Sequence, residues 1–340
     1  MSTDEVRPSF LPEGYAAVFL IGSGQSANVF LATYEHKDEY ALKMLKPDAR
    51  RNPKLSAMFE REVKLTLSLE HKNVVKAREG EATGERAYMA LEFYPKNLDT
   101  LLVEESMIPL EQAYKIILGV ASGLAYVHKQ NVLHRDIKPA NVFLDHDGTP
   151  KLADFGTGIY QNEQQDERAG TVYYMPPEIF LGEPSSVQSD IYSLGVLAYE
   201  VLTHRRPFDG DDYENVKNAH LFSVADNPSR HREGLDKRLN KVFAKVLAKE
   251  PIERYKTVAE FGKAFQAAIS SQAASTNDEP DVGRGSAPRP QVGRGSRNSA
   301  AQSGQQAGRP ANRPQSGKPN SSKPQPERGG LLGKWFNRKK

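Results

Sequence analysis

The sequence predicts an α+β fold with a small β-rich unit containing one helix, a larger mainly helical unit, and a tail without packed structure. Three observations carry this expectation. Between residues 15 and 93 apolar side chains mostly alternate with period two, interrupted by one helical stretch. From Leu98 to Ile269 they recur at helical spacing. After Ser270 the periodicity stops, and roughly 60 residues dominated by Gly, Pro, Ser, Gln, Asn and Arg follow, too polar to offset chain entropy by burial.

The elements follow in order. Tyr15 to Ile21, Ala27 to Tyr34 and Glu39 to Leu45 read as strands, and Phe59, Val63 and Leu67 mark the helix. Val74 to Glu79 and Ala87 to Phe93 complete the small unit. In the larger one, Leu110 to Lys129 carries Ala113, Ile117, Val120, Leu124 and Val127 on one stripe. Asp190 to Leu202 is apolar on nearly every side, the mark of a helix at a domain centre. Leu239, Val242, Phe243, Val246 and Leu247 form another stripe, and Phe261, Phe265 and Ile269 the last. The expected boundaries are an extension over 1–13, lobes over 14–94 and 95–269, a disordered linker over 270–328, and a basic amphipathic motif over 329–340.

Composition narrows the class. The chain has 340 residues, 26% charged and 38% apolar, and no cysteine, which excludes disulfides and thiolate metal sites. Met1 to Pro8 carries Asp4 and Glu5 and no apolar run, unlike a signal peptide. The longest apolar stretch, Ile116 to Val127, includes Ser122 and two glycines and reads as a buried helix rather than a membrane span. A cytoplasmic, soluble protein is expected. The net charge of +3 hides an asymmetry: residues 271–340 hold 13 Lys/Arg against four Asp/Glu, leaving 33 against 39 in residues 1–270.

The chemistry concentrates in two segments. His134-Arg135-Asp136-Ile137-Lys138-Pro139-Ala140-Asn141 is followed thirteen residues later by Asp154-Phe155-Gly156, with a strand-like Val142-Phe143-Leu144 and a turn at Asp147-Gly148 between them. Phosphoryl transfer needs such a set: one group to orient a hydroxyl and others to hold metal and phosphate. Upstream, Gly22-Ser23-Gly24-Gln25-Ser26-Ala27-Asn28-Val29 lies between two strands. Its backbone could approach a phosphate chain, or it could be a plain hairpin turn; a strand rather than a helix follows, which excludes a dinucleotide fingerprint. Lys43 in Ala41-Leu42-Lys43 reads either as a solvent-facing strand residue or as a phosphate ligand paired with Glu62 on the next helix.

With these signatures in this order, residues 14–269 resemble a eukaryotic-like serine/threonine protein kinase of the protein kinase superfamily, of bacterial type. The resemblance implies a bilobal protein kinase fold with ATP and Mg²⁺ (or Mn²⁺) between the lobes and protein hydroxyls as acceptors. It implies that Lys43 bridges phosphates to Glu62, that Asp136 accepts or orients the acceptor proton, and that Lys138 neutralises the γ-phosphate. Asn141 and Asp154 would hold the metal. Gly22, Gly24 and Ala27 would form the phosphate loop, and Glu92-Phe93-Tyr94 the hinge for adenine, with Leu91 guarding the pocket behind it. Val29, Ala41 and Leu144 would sandwich the ring. Thr171 to Glu178 would close the activation segment, Glu178 pairing with Arg254, while Asp190 would fix the backbone of His134 to Asp136. Lys138 and Thr171 favour Ser/Thr acceptors, since the Thr171 hydroxyl can bond both Asp136 and Lys138.

The sequence departs from that pattern in places. The third loop glycine is Ala27, and Pro176 stands where alanine is usual. Between Gly158 and Gly170 there is no serine or threonine, although Arg135 ordinarily receives an activation-loop phosphate in this family. Glu163, Asp166 or Glu167 could supply a permanent anion, making the enzyme constitutively competent, or the run could be merely solvated; Thr171, Thr157 and Tyr173 are the remaining phosphorylation candidates. The terminal Leu331-Leu332-Gly333-Lys334-Trp335-Phe336-Asn337-Arg338-Lys339-Lys340, wound as a helix, gathers its apolar residues opposite a basic side. It suits a partner groove, an anionic membrane surface, the acidic kinase body, or no partner at all. Ser286, Ser296, Ser299 and Ser303 lie among arginines as autophosphorylation candidates, and the absence of interleaved aromatics argues against nucleic acid. The competing functions are a pseudokinase scaffold, which would ordinarily have lost one catalytic residue, and a small-molecule kinase, which would lack the Thr171–Glu178 segment and its Arg254 partner.

Overall fold

The computed structural model describes residues 11–161 and 171–275. Strands β1 (Tyr15–Ser23), β2 (Ala27–Tyr34), β3 (Asp38–Leu45), β4 (Ala77–Glu81) and β5 (Tyr88–Glu92) form one antiparallel sheet in the order β1-β2-β3-β5-β4. Helices α1 (Pro47–Arg51) and α2 (Pro53–Ser68) connect β3 to β4. Alternation along β3 sorts its side chains. Leu42 and Met44 pack with Tyr15, Ala32 and Ala90 on one face. Leu45, on the other, meets Phe59 and Val63 of α2. Lys43 shares that second face, so it points at α2 and the cleft rather than at solvent.

Asn52 starts α2: its side chain accepts the Lys54 and Leu55 N–H groups, and Pro53 occupies a first-turn position whose N–H would have no helical partner. The buried stripe runs Phe59, Glu62, Val63, Leu65 and Thr66, whereas Leu67, expected inside, is 42% exposed. The helix touches two surfaces, the sheet through Phe59 and Val63 and the larger lobe through Leu65, and the inward face turns away from Leu67 between them. Similarly, β4 begins at Ala77 and not at Val74. Val74 and Val75 leave the sheet to join Leu152, Val75 N–H donating to the Leu152 carbonyl at 2.9 Å.

The second lobe starts with β6 (Lys96–Asn97), α3 (Leu98–Glu104) and α4 (Leu110–Lys129). Short strands β7 (Val132–Leu133), β8 (Val142–Leu144), β9 (Pro150–Leu152) and β10 (Ile159–Tyr160) follow, then α5 (Pro177–Phe180), α6 (Val187–Thr203), α7 (Tyr213–Phe222), α8 (Leu239–Val246) and α9 (Val258–Ser275). As its composition predicts, α6 is buried throughout Ser189–Thr203. Ser186 and Ser189 close its N-terminus as a capping box. Gly195 lets α8 approach closely, since a Cβ there would sit 2.7 Å from Val246 Cγ1. Gly148 has a φ of +75° at the expected turn before β9.

Around α7 lies a buried aromatic cluster in which His220 touches Phe208, Phe180 and Tyr192 at ring-centroid distances of 4.9, 5.6 and 5.8 Å. The Tyr192 hydroxyl lies 2.9 Å from His220 Nδ1. Burial and the nearby Lys249 ammonium push the His220 imidazole down to about 3. Because the folded value lies below the unfolded one, the stability from neutral His220 is complete above pH 6.5 and lost as pH falls toward 3. We expect His220→Phe to remove up to about 1.4 kcal/mol of destabilisation per pH unit between pH 6.5 and 4, which flattens the fall in melting temperature over that range. An unchanged pH slope would refute the assignment.

Candidate active site

The cleft between the lobes brings together side chains far apart in sequence. Lys43 Nζ from β3 donates to Glu62 Oε1 from α2 and stands 3.7 Å from Asp154 Oδ1. Burial opposes charge on Lys43, but the Glu62 and Asp154 carboxylates outweigh it and hold the ammonium above the ordinary lysine range. Burial likewise works against the Asp154 carboxylate, and Lys43, Lys138 and His134 more than offset it, so its pKa lies below the usual value. Asp154 reaches this position with a left-handed φ of +67°, and Arg135 has a φ of +69°. Such backbone strain in non-glycine residues clusters at functional sites.

Around Asp136 the hydrogen bonds converge. Lys138 Nζ donates to Oδ2 at 2.6 Å and to Thr171 Oγ1 at 2.8 Å, while the Thr171 hydroxyl donates to Asp136 Oδ1 at 2.9 Å. Asn141 Nδ2 donates to the Asp136 carbonyl at 2.8 Å and to Oδ2 at 3.0 Å. That leaves the Asn141 amide oxygen, with the Asp154 carboxylate, as hard oxygen donors suited to a divalent cation. Both residues line the same cleft.

The backbone under this group is pinned by Asp190 at the start of α6. Its carboxylate accepts the His134 and Arg135 N–H groups at 2.8 and 2.9 Å and pairs with His128 Nε2 at 2.8 Å. Burial would raise the Asp190 pKa, yet the His128 and His134 contacts outweigh it and lower it. Phe155, fully buried, packs in one cluster with Leu65 of α2, Leu69, Val127 of α4 and Val132 of β7, which ties α2 to the larger lobe. Glu178 and Arg254 form the expected buried pair, bidentate at 2.7 and 2.8 Å, and Ser189 Oγ adds a third bond at 2.7 Å. The Thr157 hydroxyl donates to the His134 carbonyl at 3.0 Å, and the Tyr173 ring lies 3.8 Å under the Arg206 guanidinium.

One cavity, lined by Val29, Ala41, Leu91, Glu92, Phe93 and Tyr94 from the small lobe, holds most of the expected adenine residues. Leu144 is a correction: it is 6% exposed within the core of the larger lobe, and Phe143 lines the cavity in its place. The reason is strand parity: Val142 and Leu144 share the face of β8 that is buried in the lobe core, and Phe143 between them takes the opposite face, at the cavity. Val75, Met89, Ala153 and Thr66 also contribute walls that no motif marked. Gly24 and Ala27 line a second cavity with Lys43, Asp136 and Asp154, whereas Gly22 pairs with Val29 in the sheet and lines neither. Glu163, Asp166 and Glu167, the four tail serines and the Leu331–Lys340 motif lie outside the described residues.

Comparison with known proteins bears on the family. The chain is 32% identical over 265 residues to serine/threonine-protein kinase PknB of Mycobacterium leprae, covering 74% of this chain and 42% of that protein. It is 30% identical over 249 residues to serine/threonine-protein kinase PrkC of Bacillus subtilis, covering 72% and 38%. Tyrosine-protein kinase MasK of Myxococcus xanthus is 30% identical over 295 residues, covering 80% and 46%. The chain thus spans less than half the length of these relatives. The profile of the protein kinase domain matches residues 15–265, and the chain belongs to that family.

Proposed function

We propose that this chain transfers the γ-phosphate of ATP to serine or threonine hydroxyls of proteins, its own included. The carrying observation is the shared hydrogen-bond set of Asp136, Lys138, Thr171 and Asn141 facing Lys43, Glu62 and Asp154 across one cleft. Asp136 orients the acceptor hydroxyl and takes its proton, while Lys138 offsets charge on the phosphoryl oxygens in transfer. Lys43, held by Glu62, positions the other phosphates. A divalent cation bound by Asn141 and Asp154, Mg²⁺ in this reading, would neutralise phosphate charge. The scaffold alternative would leave this complete set without a use.

The acceptor class rests on Thr171 bridging Asp136 and Lys138; the relatives include a kinase named for each acceptor type. Purified protein with radiolabelled ATP and Mg²⁺ should label itself and a generic basic protein on serine and threonine, and Asp136→Ala should abolish the label. Label confined to tyrosine would overturn the acceptor assignment. No label under varied metals and substrates would favour the scaffold.

We also read the basic Leu331–Lys340 segment as a docking element for an anionic surface, with peripheral membrane attachment as its chemistry. No helix among the described residues is long and apolar enough to cross a membrane. Full-length chain should co-sediment with vesicles containing phosphatidylserine at low salt, and Trp335→Ala with Phe336→Ala should reduce the bound fraction about tenfold. Equal sedimentation of both chains would remove the apolar half of this reading.

A further inference from the structure

Lys46, the residue after β3, belongs to none of the sequence signatures and lines neither cavity of the cleft. It nevertheless grips the β1–β2 loop at two points. Its Nζ donates to the Gly24 carbonyl oxygen, and its backbone N–H donates to the Ser26 carbonyl oxygen at 2.8 Å. Within the loop, Gly24 N–H donates to the Ala27 carbonyl at 2.9 Å, and Ser23 Oγ donates to Asn28 Oδ1 at 2.8 Å. The methyl group of Ala27 adds an apolar tie: the residue is 3% exposed and belongs to the cluster of Leu45, Ala49, Phe59 and Val63. Its φ is not positive, so alanine sits there without backbone strain.

The carbonyl and the following N–H of a trans peptide point in opposite directions. Drawing the Gly24 carbonyl toward Lys46 therefore aims the Gln25 N–H the other way. Gly24 and Gln25 both line the cavity that contains Lys43, Asp136 and Asp154. A glycine carbonyl released from Lys46 could rotate toward that cavity at little steric cost and present partial negative charge to a phosphate.

We propose that Lys46 is a positioning residue for the triphosphate, keeping the Gly24 carbonyl out of the cleft so that the loop offers N–H donors to phosphate oxygens. Lys46 acts through the loop and touches no reacting atom. The inference rests on the ATP reading above.

The test uses the full chain and compares equilibrium binding of Mg²⁺ with a non-hydrolysable ATP analogue against binding of adenosine. Lys46→Met should weaken the analogue about tenfold, the size of one hydrogen bond to a charged group, and leave adenosine within about twofold. The KM for ATP should rise by the same factor with kcat nearly unchanged, and Lys46→Arg should restore most of the affinity. Unchanged analogue affinity in Lys46→Met, or parallel loss of adenosine, overturns the proposal. If Lys46→Met does not fold, Ala27→Gly removes the apolar tie instead and must show the same phosphate-selective loss; its absence also overturns the proposal. Wild-type protein that binds the analogue but transfers no phosphate would refute the catalytic reading alone and leave the binding comparison decisive for Lys46.

Discussion

Replacing Asp136 by alanine is expected to lower kcat for phosphate transfer by about 10²- to 10⁴-fold, the usual share of a positioned acid–base group. Under the proposed function nucleotide affinity should change little, because Lys43, the hinge and the loop would bind ATP without Asp136. The substitution also removes the acceptor for Lys138 and Thr171, whose bonds to the carboxylate measure 2.6 and 2.9 Å. Asp136→Asn is therefore the sharper comparison. It preserves the shape and keeps one oxygen acceptor, but it cannot take a proton. Single-turnover rates that fall equally in both variants would assign the loss to proton handling. A variant retaining more than a tenth of wild-type kcat would contradict the role given to this residue.

The second large effect concerns folding. Arg254→Ala leaves the Glu178 carboxylate buried without its guanidinium partner; the two side chains are 0% and 4% exposed. Breaking a buried pair from one side costs about 3–5 kcal/mol, because the remaining charge cannot return to water. At roughly 2–4 °C per kcal/mol for a domain of this size, melting should drop by about 6–20 °C. Arg254 also donates to the carbonyls of Ala248, Gln188 and Lys249, so the loss extends into the segment after α8. Removing both partners, Glu178→Ala with Arg254→Ala, should cost less than the sum of the single changes. Additive losses in a calorimetric double-mutant cycle would show that the pair is not coupled. Activity should fall with stability, since Glu178 closes the segment that delivers Thr171 to Asp136.

Much of this site was legible in the sequence because its parts are local. His134 to Asn141 and Asp154 to Gly156 lie within one loop–strand–turn–strand unit, so spacing alone puts their functional groups near one another. The two-period pattern of β3 likewise predicted a strand, but periodicity could not say which face would be buried. Periodicity left Lys43 either a surface or a cleft residue; the motif resemblance paired it with Glu62, and α2 packed against that face makes the pair. The Leu144 expectation failed for a related reason. In so short a strand, one residue of parity decides whether a side chain enters the cleft cavity or the core, and both Phe143 and Leu144 are apolar. Leu67 satisfied helical spacing yet faces solvent, because α2 divides its contacts between the sheet and the larger lobe.

The sequence by itself determined the five strands and the long helix of the small lobe, the helices α4, α6, α8 and α9, the central burial of α6, and the identities of the charged groups around the cleft. Hydrophobic period and motif spacing are properties of neighbours along the chain, and they suffice for those features. Tertiary structure alone decided that Asp154 stands beside the Lys43–Glu62 pair, that Phe143 and not Leu144 lines the cleft cavity, and that Lys46 holds the loop. Each depends on a contact between segments whose separation in sequence carries no distance information. Their positions follow from which faces bury together, and burial is settled only when the lobes are packed.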